Sequence, residues 1–152
     1  MTDHHALQAL RYLGAAALLG VGIVHLQQYD GAHYSAIPTI GTLFLLNFVS
    51  AAVVAAGLFA PVEWRFPRLR KQILGGLAAA GIGIALGALV ALLISEQTPL
   101  FGFMESGYRQ AIVIAIVLEI ATTVLLTGFL VGVLRGERGA RSPSAGQLTG
   151  YR

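Results

Sequence analysis

The chain has no cysteine. That excludes disulfides, thiol nucleophiles and cysteine metal sites, and it leaves the redox compartment open. Charge is nearly as scarce: Asp, Glu, Lys and Arg make up 11% of residues, against about 25% in a soluble domain. The common enzyme signatures are missing too. There is no Gly-x-Ser-x-Gly, no glycine-rich phosphate loop and no His-Glu-x-x-His. Ser50 is the one serine well inside an apolar run, so no dyad for intramembrane proteolysis can be assembled. The expectation is a protein that is not an enzyme. Nucleic acid is not an expected partner either. The formal charge of +3 comes from basic residues that flank apolar runs.

What the chain has in quantity is apolar length. Hydrophobic residues are 56% of the sequence and gather in four runs, about 8–26, 40–60, 73–94 and 111–134. As a helix, the last run spans roughly 36 Å, enough for a hydrocarbon core of about 30 Å. Most of the nineteen glycines lie inside these runs, which suits membrane helices. The first run has a basic flank, Arg11, as a secretory leader would. It is followed by His25-Leu26-Gln27-Gln28-Tyr29-Asp30, with no small-x-small cleavage site, so it reads as a retained helix with Arg11 snorkelling to water. The predicted fold is all-α: a four-transmembrane-helix bundle over residues 1–134. Residues 135–152, rich in Gly, Ser and Arg, read as a disordered basic tail lying on an anionic leaflet.

The charges orient the bundle. Arg11 precedes the first run, Arg65, Arg68, Arg70 and Lys71 fill the second connection, and Arg135, Arg138, Arg141 and Arg152 follow the fourth run. Four crossings put all of these on one side. Arg109 is left on the other, with Asp30, Glu96 and Glu105. The positive-inside rule then makes both termini cytoplasmic and the protein a multi-pass component of a bacterial cytoplasmic membrane. Pro38 is placed to start the second helix, where its missing N–H costs nothing. Trp64 and Phe66 suit interfacial anchoring. Phe101, Phe103 and Tyr108 suit a loop dipping its rings into outer headgroups.

One acid lies deep. Glu119 is about 12 Å into the fourth run, where a carboxylate costs about 2.5–3.5 kcal/mol on insertion scales. Ala111, Ala115, Thr123 and Thr127 share its four-residue spacing, so it should face the bundle interior. Asn47 falls at similar depth in the second run, near Thr42 and Ser50. The expected polar intramembrane pocket is Glu119, Asn47, Thr123, Ser50 and Thr42. Either a neutral Glu119 bonds Asn47 or Thr123 and glues helices together, or it serves a proton or a ligand.

His25, Asp30, His33 and Tyr34 are the outer-face binding candidates. Two histidines eight apart, one helical and one in a loop, do not make a metal set or a bis-histidine haem site, and no metal is expected. Gly75, Ala79, Gly83, Gly87 and Ala91 form a small-residue row along the third run, with Ala16 and Gly20 spaced alike in the first. Such rows let backbones approach, either within the bundle or across a homo-oligomer face.

The stretch Gly20-Val-Gly22-Ile-Val-His25-Leu26, followed by Tyr34-Ser-Ala-Ile37-Pro38, resembles the DoxX-like group of small four-helix bacterial membrane proteins. Their first helix often ends Gly-x-x-His-[Phe/Leu], and Tyr-x-x-[Ile/Val]-Pro then leads into the second. Where they tend to carry an acid in the second helix, this chain has Leu45-Leu46-Asn47. The resemblance implies a four-helix bundle and a redox-associated accessory subunit, with no catalytic residues. Three functions follow as expectations: a non-catalytic accessory subunit or assembly factor with a membrane-protein partner, a proton-coupled small-solute transporter using Glu119, and a quinone- or haem-associated protein using His25.

Overall fold

The computed structural model describes residues 2–31, 33–102, 104 and 109–141. Its elements are α1 (Thr2–Gly31), a 3-10 turn (Tyr34–Ala36), α2 (Pro38–Phe59), the short α3 (Val62–Arg65), α4 (Arg70–Gln97) and α5 (Gln110–Arg141). The four long helices are each long and apolar enough to cross a membrane. The prolines set several boundaries. Pro38 opens α2 after an extended Ile37. A residue before proline is pushed out of the helical region. Accordingly α2 stops at Ala60 before Pro61, and α4 stops at Thr98 before Pro99, both with extended backbones.

Two expectations about the ends need correction. α1 begins well before the apolar run, and Arg11 does not snorkel. It is 1% exposed. Its Nε donates to Leu58 O at 2.6 Å and Nη2 to Ala60 O at 2.5 Å, while Nη1 pairs with Glu63 on α3. The last carbonyls of α2 have no partner inside their own helix, and a guanidinium is well shaped to receive them. α5 continues through Leu134 to Arg141, into the first part of the stretch read as a tail. Once a helix is nucleated, each further residue adds a bond, and two glycines are not enough to stop it. Residues 142–152 of that tail, and Phe103, Glu105 and Tyr108 of the loop before α5, lie outside the described residues.

α1 is the central helix and packs most extensively on α5 and α2. It runs antiparallel to α5: a Cβ on Gly14 would lie 2.5 Å from Leu126, and one on Gly20 3.1 Å from Leu118. The shared core is Ala15, Leu18, Ala51, Ala55, Leu58, Ala78 and Leu126. Both ends of the chain's helical part lie at the α3 end of the bundle. Trp64 stands there 90% exposed, where an interfacial ring would sit.

The small-residue row on α4 is not the packing face. The buried face is Leu74, Ala78, Gly81 and Ala85, and a Cβ on Gly81 would meet Leu126 at 2.6 Å. The reason is geometric. Every fourth residue advances about 40° around a helix, so from Gly75 to Ala91 the row turns about 160°. Gly75 still faces Leu130, but Ala79, Gly83 and Gly87 are exposed and Ala91 is half-buried. α5 repeats the lesson. Its buried face is Ile112, Ala115, Glu119, Thr122, Leu126 and Phe129, so Thr122 replaces Thr123, and Thr127 is exposed.

Candidate functional site: a cavity between α2 and α4

α2 and α4 touch near the α3 end, where a Cβ on Gly57 would come within 3.0 Å of Leu77. Towards the other end they part, and nothing lies within 4 Å of a Cβ on Gly83 or Gly87. The gap is a cavity of about 380 Å³, a volume within the usual range for small-molecule sites. α5 closes its back with Ala111, Ala115 and Glu119, and α1 contributes His25. Its side lies between Leu43 and Leu46 of α2 and Gly83 and Gly87 of α4, all exposed. These residues sit within the apolar, membrane-length parts of their helices.

Of the five residues expected in a polar pocket, the structure brings three to this cavity: Glu119, Asn47 and Ser50. Glu119 is 2% exposed. Its Oε2 has no hydrogen-bond partner, nor does Oδ1 of Asn47. The glue bond expected between Glu119 and Thr123 is not formed through the carboxyl. Thr123 instead donates its hydroxyl to the backbone oxygen of Glu119 at 2.8 Å, a local bond open to any threonine in a helix. Thr42 is exposed and does not line the cavity.

The other end of the cavity is aromatic and basic. The His25 ring lies 5.1 Å from Phe44, and Phe44 lies 5.0 Å from Tyr34. Arg109 donates to the Tyr34 hydroxyl and sits over the ring, 5.7 Å from its centre. A cation on a ring face gains roughly 0.5–2 kcal/mol, more when dry. Tyr34 reaches this place because the 3-10 turn folds onto the first turn of α2 at Gly41. His33 takes a left-handed conformation, φ 60°, to make that turn. Asp30 and His33 are exposed and away from the cavity, so two of the four outer-face candidates, His25 and Tyr34, belong to it.

Arg109 and Phe44 were not read as site residues from the sequence. The available signal for Arg109 was its position, a lone cation on the acidic side just before a span. Phe44 carried none, being one apolar residue among many. Among the described residues no three His, Cys, Asp or Glu side chains gather as a metal set would require.

The arrangement suits an amphiphile. Most of the wall is apolar, a buried carboxyl and an amide stand in it, and a cation and hydroxyl sit at the far end. Comparisons with protein-family models, curated proteins and solved structures find no match to this chain.

Proposed function

We propose that this protein is a multi-pass component of a bacterial cytoplasmic membrane, its termini cytoplasmic, that binds a small amphiphile drawn from the bilayer. It acts as a non-catalytic accessory subunit of a membrane complex. One observation carries the binding role: a laterally open cavity holding a buried carboxyl and an amide oxygen that no protein group satisfies. Buried polar atoms are nearly always bonded, so two unmet ones in one cavity are where a ligand would be recognised. A quinone in its reduced, dihydroxy form is one member of this ligand class. The basic residues of the α3 connection support the orientation.

Gly87→Phe tests it. Open space surrounds the position, and replacing a mid-helix glycine by phenylalanine gains about 0.5 kcal/mol of helix propensity. The expected result is a protein that melts no lower than the parent and takes up less of the lipid-soluble material extracted with it. If the variant retains the same co-purifying molecules in the same amount, the cavity is not the binding site.

A second reading is proton-coupled transport, favoured by the unpartnered Glu119. An acid that gains and loses a proton in a cavity can couple solute movement to the proton gradient. In that case a pH difference across proteoliposomes drives uptake of an amphiphile, and Glu119→Gln abolishes it while binding persists. Binding without any flux returns the protein to the first reading.

A further inference from the structure

The donors and acceptors around the cavity are unevenly shared. Deep in it, Glu119 Oε2 and Asn47 Oδ1 lack partners. A carboxyl keeps an accepting oxygen whether or not it is protonated. His25 adds a third acceptor. Its Nδ1 lies 2.9 Å from Val21 O. A carbonyl can only accept, so the ring hydrogen is on Nδ1 and the neutral ring keeps its lone pair on Nε2. Ser95, also on the wall, has already given its hydroxyl hydrogen to Leu92 O. Arg109, the strong donor, bonds Tyr34 at the far end. Asn47 carries an NH₂ as well as its oxygen, so the decisive acceptors are Glu119 and His25.

Resting on the binding role above, we infer that the occupant's head is a hydrogen-bond donor, a phenol or alcohol on an apolar body, seated between Glu119 and His25. A ketone, ether or ester head can accept from Ser50, Asn47 or a protonated Glu119, but it has no hydrogen to give and leaves the Nε2 of His25 and the oxygen of Asn47 unmet. The hydroxyl lies inward, and the apolar body leaves between Leu46 and Gly87 towards lipid.

The test uses 4-hexylresorcinol and its dimethyl ether, which share ring and tail and differ in the two donors. Isothermal titration on the purified full chain in dodecyl maltoside should show the resorcinol binding about tenfold tighter or better, the worth of one or two hydrogen bonds in a dry site. Glu119→Leu should cut that preference to about threefold or less without weakening the ether. His25→Leu should cut it too, which keeps the test open if the first variant does not fold. Equal affinity for the two probes, or a tighter ether, overturns the donor assignment while the binding role stands. If neither probe binds, the binding role falls and the assignment falls with it. A preference untouched by both substitutions places the hydroxyl elsewhere and also overturns the inference.

Discussion

Glu63→Ala is expected to destabilise the bundle by about 3 kcal/mol, the usual size of a loss when one partner of a buried pair is removed. The cost arises on the other residue. Arg11 is almost fully enclosed, and without Glu63 its charge is left with the neutral carbonyls of Leu58 and Ala60 and the face of the Tyr12 ring, 5.1 Å away. Glu63 is about one-third exposed, with 32% of its side chain accessible, so the reverse change leaves less charge stranded. Arg11→Met still orphans the Leu58 carbonyl, while Ala60 O keeps the Val62 N–H at 2.8 Å, and should cost about 1–2 kcal/mol. The paired change Arg11→Met with Glu63→Gln removes both charges. It is expected to be more stable than Glu63→Ala alone, because no ion is left in the protein interior. Unfolding in a mixed-detergent titration measures all three. A Glu63→Ala protein that unfolds with the parent would mean that the pair adds nothing.

Gly41→Ala comes next in size, and it acts on the site. A Cβ there would lie 2.7 Å from the carbonyl oxygen of Tyr34 and 3.0 Å from Cα of Ser35. Both are backbone atoms, so no side-chain rotation relieves the clash. The 3-10 turn and the start of α2 must separate, at about 1–3 kcal/mol by analogy with overpacked cores. Tyr34 then moves from Phe44 and Arg109, and the aromatic end of the cavity opens. Affinity for 4-hexylresorcinol is expected to fall by about tenfold or more, since one or two polar contacts lose their alignment. Gly87→Phe and Gly41→Ala therefore separate two ways of losing the ligand: one fills the space with the fold intact, the other loosens its wall. Should Gly41→Ala melt and bind like the parent, the turn does not hold the site.

The four spans were legible because apolar run length and lipid thickness are the same kind of quantity. Several boundaries were legible because proline acts on its immediate neighbours. The deep acid showed itself through the cost of placing it in lipid. Rotation around each helix was not legible at the same level. Reading Gly75 to Ala91 as one face assumed four residues per turn, and the accumulated error carried Gly83 and Gly87 from the packing seam to the cavity wall. The same drift exchanged Thr123 for Thr122. Arg11 was misread because its partners come from the end of another helix and from the four-residue α3, whose place no periodicity announces. The cluster of His25, Phe44, Tyr34 and Arg109 draws on two helices, a turn and the residue just before α5, so only the tertiary structure brings it together.

The parting of α2 and α4 within their apolar lengths has a thermodynamic consequence. A ligand arriving through that gap never needs to be dissolved in water at the moment of capture. Occupancy then follows its mole fraction among the lipids, and aqueous concentration matters only through partitioning. Adding empty vesicles at constant total ligand should strip the protein, whereas diluting the whole suspension with buffer should leave a strongly partitioning occupant in place.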